Sequence, residues 1–153
     1  MAKQSAGLLV YRKKKDEIEV LLVHPGGPFW QKKDKGAWSI PKGEYNDAED
    51  PLEVAKREFF EETGNEMDGD DFVELEPVKL SSGKRIKAWM VERDFENCFI
   101  QSNKFTLEWP PKSGTFKDFD EVDKAEWFSL QVAKEKINAG QIEFLKQLKL
   151  NTE

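Results

Sequence analysis

One stretch, Gly43 to Asn65, constrains this chain more than any other: G-E-Y-N-D-A-E-D-P-L-E-V-A-K-R-E-F-F-E-E-T-G-N. Its first half is polar and turn-rich and reads as a loop. Its second half carries the punctuation of a helix. Asp50 suits the N-cap, and Glu53 three residues later completes a capping-box pattern. Pro51 falls at the first helical position, where its missing N–H has no intrahelical partner to lose. Gly64 supplies a left-handed stop. Leu52, Ala55 and Phe59 then share one apolar face. At about 100° per residue, Glu58, Glu61 and Glu62 fall on an adjoining strip, with Arg57 one turn before Glu61.

Three carboxylates that close repel one another, and one arginine cannot balance three. A solvated, glutamate-rich face is the ordinary explanation for such a strip. The other is a hard divalent cation, which prefers carboxylate oxygen. The loop shifts the weight to the cation. Gly43 is followed by five residues and Glu49. Seven more lead to Arg57-Glu58, apolar Phe59, one free position, Glu61-Glu62, one free position and Gly64. That long, gapless pattern resembles the Nudix box, the signature of the Nudix hydrolase family. One position departs: the family usually has an aliphatic residue after the final glycine, and here it is Asn65. The departure touches the packing of the helix exit, not the carboxylates.

A length of 153 residues suits a single domain, 1–153, with a sizeable core. Five Trp and eleven Phe argue against disorder. The net charge of −6 argues against a duplex nucleic acid or a membrane surface as partner, because both select for excess Lys and Arg. A small phosphorylated substrate stays compatible, since local lysines or a bound metal offset the global sign. Cys98 is the only cysteine, which excludes a disulfide framework and agrees with a reducing, cytoplasmic setting. The apolar run Ala6 to Tyr11 is too short for a signal or membrane segment and reads as a strand.

Taken in order, Ala6 to Arg12 and Ile18 to Val23 read as a hairpin, with Leu8, Val10, Val20 and Leu22 in the core. A long polar loop, His24 to Lys35, holds Phe29 and Trp30 among lysines, and long loops in compact domains are often functional. Trp38-Ser39-Ile40 reads as a short strand leading through Pro41-Lys42 to Gly43. After the helix, Phe72 to Leu80 and Arg85 to Arg93 read as two strands. Phe105 to Trp109 reads as a short edge element stopped by Pro110-Pro111, and Lys112 to Asp120 as a loop. Ala125 to Phe128 reads as a strand. Ser129 caps a helix through Asn138, with Leu130, Ala133 and Ile137 inward. A last helix covers Ile142 to Leu148. Layering rules turn this mixture into an α+β fold, a sheet with helices on both faces. The family resemblance sharpens it to a Nudix-type α/β/α sandwich around a mixed, curved β-sheet.

The resemblance also implies chemistry. Nudix proteins typically hydrolyse a nucleoside diphosphate linked to another moiety, using Mg²⁺ or Mn²⁺. Polyphosphate chemistry independently calls for such ions, because crowded negative charge repels an incoming hydroxide. By resemblance, Glu58, Glu61 and Glu62 are metal ligands, with the Gly43 carbonyl as a further one. Glu58 is alternatively the general base. Arg57 orients the carboxylates, with Glu49 as its partner. The family often draws one more acid from outside the box. Glu121 is preferred here, and Glu108 is the other candidate. Lys42, at the lip of the site, is a candidate for phosphate contact. Trp38, Trp30 and Phe29 are candidates for stacking on a base, although Trp38 suits the core at least as well. His24, the sole histidine, reads as structural or solvent-exposed.

The segment Trp38-Ser39-Ile40-Pro41-Lys42-Gly43 is similar to the W-x-x-P-K-G approach of Nudix diadenosine tetraphosphate hydrolases and related nucleoside polyphosphate hydrolases. The expected partner is therefore a small nucleotide, a nucleoside or dinucleoside polyphosphate. Oxidised dNTPs are the rival substrates. A module that binds nucleotide without hydrolysing it is the rival class, although such modules usually lose box glutamates and all are present here.

Overall fold

The computed structural model describes residues 3–153. Strands β1 (Gln4–Lys14) and β2 (Glu17–Pro25) form the expected antiparallel hairpin. The main sheet runs β4 (Val73–Glu74), β6 (Arg85–Glu92), β1, β2, β9 (Val122–Ser129). Short β3 (Lys42–Glu44) pairs with β1, and β5 (Val78–Lys79) with β6. The β1–β6 pair is parallel and the others are antiparallel, so the sheet is mixed. A separate two-stranded ribbon joins β7 (Lys104–Glu108) to β8 (Phe116–Asp120).

The period of two along the central strands sorts side chains to two cores. Leu8 and Val10 of β1, Leu21 and Val23 of β2, and Trp89 and Val91 of β6 face one way, onto Val54, Ala55 and Phe59 of α1 (Pro51–Thr63). Leu9, Val20, Leu22, Ile86, Ala88 and Met90 face the other way. There they meet Ala133 of α2 (Leu130–Lys136) and Phe144, Leu145 and Leu148 of α3 (Ile142–Thr152). Helices on both faces of a mixed sheet are the expected layering.

Several boundaries differ from the sequence reading, each for a local reason. Asp50 sits in extended backbone before α1, but its side chain makes no capping bond. Glu53 instead lies 3.5 Å from Lys56, so the capping box is not made. Trp38 and Ser39 form two isolated bridges, to Ile137 and Val23, rather than a strand. The span Phe72 to Leu80 is split into β4 and β5, with Pro77 in the gap lacking the N–H a ladder needs. The loop expected over Lys112 to Asp120 ends as a strand, β8, whose partner is the edge element expected at Phe105 to Trp109. The helix capped by Ser129 stops at Lys136. Asn138 then caps a single 3₁₀ turn, Ala139–Gln141, by accepting from the Gly140 N–H. The Asn65 departure resolves into polar packing. Its backbone N–H donates to Thr63 Oγ1 and its side-chain amide to the Asn97 carbonyl, so the buried helix exit is hydrogen-bonded rather than greasy.

Candidate active site

The helix α1 delivers its carboxylates to the edge of its own core. Phe59 is fully buried, which stabilises the fold by about 1.5–3 kcal/mol and fixes the helix rotation. That rotation turns Glu58 and Glu62 toward β3. The Glu62 carboxylate accepts from the backbone N–H of Lys42 at 2.8 Å. Burial pushes its pKa well above the ordinary carboxylate range, and the Lys42 N–H only partly offsets this. The Glu58 carboxyl is also pushed up, first by burial and then by the charge of Glu61. Gly43 faces it so closely that a Cβ there would lie 2.1 Å from the Glu58 carboxyl carbon. No other residue fits beside Glu58 without displacing it.

Arg57 reaches all three neighbouring acids. Its guanidinium nitrogens lie 3.5 Å from Glu49, 3.7 Å from Glu58 and 3.8 Å from Glu61. At half exposure these pairs are worth little in stability, but they space the carboxylates apart. Lys42 is largely enclosed, and its pKa is lowered, mainly by desolvation and then by nearby Lys84.

Glu121, distant in sequence, joins this group. Its backbone is pinned twice, donating to the Asn103 carbonyl at 2.8 Å and accepting from Gly26 N–H at 2.9 Å. Asn103 N–H in turn donates to the Glu61 carbonyl. Burial and then the Glu61 charge raise the Glu121 carboxyl. Lys42, Glu62, Glu121 and Ser39 line one cavity of 160 Å³, walled by Val23, Pro25, Ala37 and Val122.

The structure thus brings together Gly43, Arg57, Glu58, Glu61, Glu62, Lys42 and Glu121. Glu108 stands apart in the β7–β8 ribbon, accepting from the Lys112 N–H. Trp38 is 2% exposed, donates to Asp34 and packs edge-on against Phe128, so it is a core residue and offers no face to a base. His24 is structural: it is buried, with Nδ1 2.7 Å from Asp123 Oδ1 and Nε2 2.6 Å from the Lys33 carbonyl. Ser39 was missed by sequence reasoning. The signal was alternation: with Trp38 and Ile40 inward, Ser39 between them faces the cavity.

The donors are all hard oxygens, and burial first, then neighbouring carboxylates, raises the Glu58, Glu62 and Glu121 carboxyls. That chemistry fits a divalent cation of the Mg²⁺ type. Among the described residues no three acidic, imidazole or thiol side chains are placed so as to hold a metal ion by themselves.

Comparison with known proteins gives the family and the fold. The family model described as NUDIX domain matches residues 1–148. No curated protein matches the chain by sequence. Among solved structures, a Caenorhabditis elegans Ap4A hydrolase binary complex is similar, with a TM-score of 0.67 and 23% identity, over 99% of this chain and 98% of that one. The NUDIX domain of Shewanella oneidensis NrtR, complexed with ADP ribose, gives 0.69 and 14% over 100% and 90%. A mutT/nudix family protein from Listeria innocua gives 0.65 and 13% over 98% and 93%. At these identities the structures share the fold alone.

Proposed function

Since this chain belongs to the Nudix hydrolase family, whose members act on phosphoanhydride bonds, we propose that its substrate is a nucleoside polyphosphate, including dinucleoside polyphosphates such as diadenosine tetraphosphate. One observation carries the assignment of the site. Glu62 of the helix strip, Lys42 and Glu121, from three separate parts of the chain, line a single cavity, and Arg57 ties Glu58 and Glu61 together beside it.

Glu58, Glu61, Glu62 and the Gly43 carbonyl would hold Mg²⁺ or Mn²⁺. When bound, such an ion neutralises phosphate charge and raises the acidity of a coordinated water. The chain's own residues do the rest. The Lys42 N–H fixes the Glu62 carboxylate, and Arg57 keeps Glu58 and Glu61 in place by charge-assisted contacts. The Lys42 ammonium faces a substrate phosphate. Glu121, whose carboxyl burial pushes above its ordinary range, takes the proton of the attacking water, with Glu58 as the alternative base. The nucleotide preference is supported by the Trp38-Ser39-Ile40-Pro41-Lys42-Gly43 approach and by the fold shared with the Ap4A hydrolase. Oxidised dNTPs remain the competing substrates.

The test is a panel of dinucleoside polyphosphates, canonical and oxidised dNTPs, nucleotide sugars and diphosphoinositol phosphates, scored by kcat/KM with Mg²⁺, with Mn²⁺ and with EDTA. The expected result is turnover highest for a nucleoside or dinucleoside polyphosphate and abolished by EDTA. Turnover that survives chelation contradicts the assigned site. Binding without turnover across the panel assigns the chain to the non-hydrolytic modules.

A further inference from the structure

A second cavity opens beside Glu121. It has a volume of 290 Å³, near the ~300 Å³ lower bound of small-ligand pockets. Its two sides are the loop after β2 and the β7–β8 ribbon. Gly27, Pro28 and Gln31 line the first, and Lys104, Asp118 and Phe119 the second. Both sides are rooted in the catalytic residues. Gly26 N–H bonds to the Glu121 carbonyl, and Asn103, just before β7, bonds to the backbones of both Glu61 and Glu121. Further out, the sides are joined by an edge-to-face contact between Phe29 and Trp109, with centroids 5.2 Å apart. Phe29 remains 59% exposed.

The chemistry of this cleft selects which part of a nucleotide enters. Asp118, Asp120 and Asp123 line it together. Asp118 is held by Thr106, Asp120 by Lys104 and Asp123 by His24. Carboxylates accept hydrogen bonds and repel phosphate, so a phosphate does not seat here. A planar, neutral group with N–H donors does: it stacks on Phe119 and donates to the acids. The phosphate chain is left on the lysine side. The loop and ribbon, residues 29–36 and 104–120, carry six lysines against four carboxylates in a chain of net charge −6.

The geometry points to this cleft as the seat of the distal nucleobase of a dinucleoside polyphosphate, one with an exocyclic amino group such as adenine. The inference rests on the polyphosphate reading of the catalytic cavity, which would hold the reacting phosphates. It explains what that reading does not: why a separate ribbon is built onto the Glu121 corner and tied by aromatic contact to the loop.

Two exposed positions test it without touching the catalytic cavity. Gln31→Trp fills the cleft, and Asp118→Asn removes an acceptor charge while keeping an oxygen for Thr106. KM and kcat are measured with diadenosine tetraphosphate and with ATP, and Kd for both by titration calorimetry. For Gln31→Trp the expected result is a rise of about ten-fold in KM and Kd for diadenosine tetraphosphate, the scale of one lost base stack, with kcat and both ATP values within two-fold. Asp118→Asn should raise the diadenosine values by a few-fold and leave those for diuridine tetraphosphate unchanged. Equal effects on ATP and diadenosine tetraphosphate, or none on either, overturn the inference. So does a 5′-triphosphorylated RNA that binds more tightly than diadenosine tetraphosphate and loses more on Gln31→Trp. If the wild-type protein turns over neither nucleotide, the polyphosphate reading fails. The Kd comparison then still decides the cleft: selective weakening upholds it, and unchanged affinities overturn it.

Discussion

The two faces of the main sheet are built to different ends. On the α2–α3 face, the cluster around Trp38, Phe144, Leu145 and Leu148 is apolar, and its buried polar neighbour Gln141 is hydrogen-bonded. On the α1 face, one helix supplies both the core contact of Phe59 and, one residue away, the Glu58 carboxyl that packs against Gly43. The first face spends its sequence on stability. The second carries like charges that burial makes worse, and it tolerates them because the apolar stripe beside them holds the helix. The cost on that face comes first from burial of the Glu58 and Glu62 carboxyls and then from their charged neighbours.

The sharpest way to break this comparison is Glu62→Gln. Turnover should fall by roughly 10³-fold, the scale of losing a group that acts on the transition state. Yet the metal-free protein should melt higher by roughly 2–4 °C, as expected for relief worth about 1 kcal/mol. Kinetics with Mg²⁺ and thermal melts in EDTA check both. A metal-free melt that falls would mean the carboxylate is not a buried liability. On the opposite face, Phe144→Ala should do the reverse, losing about 3–5 kcal/mol of stability while kcat per folded molecule is retained. Chemical denaturation and active-site titration measure the two. Glu121→Gln should cost less turnover than Glu62→Gln.

Gly43→Ala separates geometry from stability within the α1 face. The atoms its Cβ would strike are the end of the flexible Glu58 side chain, at 2.1 to 2.5 Å. That side chain can swing away cheaply, so the melting temperature should change little. The carboxyl it carries would then be misplaced, and kcat/KM should fall by about 10²-fold, the scale of a 1 Å misplacement. A variant with normal kinetics would show that Glu58 has no fixed part in the site.

How much of this was legible beforehand depended on whether a signal is local. The helix α1 and its carboxylate strip were readable because caps, period and spacing lie within 23 consecutive residues. The hairpin β1–β2 was readable from alternation alone. The position of Glu121 relative to Glu61 was not, since it depends on Asn103 bridging two distant backbones. The strand β8 was missed because its inward alternation is masked: Lys117, Asp118 and Asp120 are solvent-facing or paired across a ribbon that no second layer covers. Trp38 was ambiguous in sequence because tryptophan serves cores and stacking sites alike. The distinction came from three-dimensional neighbours, Phe128 and His24.

The smallest effect lies outside both cores and carries the opposite pH sign. Arg93 makes a two-pronged contact with Asp71, with nitrogen–oxygen distances of 2.7 Å, and holds its pKa down at about 2. The folded chain therefore keeps this carboxylate ionised after the unfolded chain would protonate it. The pair's stabilisation is whole above the ordinary carboxylate range and is lost as pH falls from there toward about 2. For Glu58 and Glu62 the folded pKa values are raised. Their contribution in the metal-free protein is whole below the ordinary range and is lost as pH rises through the raised values. Asp71→Asn should thus lower the melting temperature slightly at pH 6 and by a shrinking amount as pH falls below 4. Glu62→Gln should raise it at pH 8 in EDTA and lose that advantage in acid. Melts of both variants across pH 2.5 to 8 decide the point: shifts of the same sign and pH trend would mean that the α1 carboxylates are ordinary surface acids.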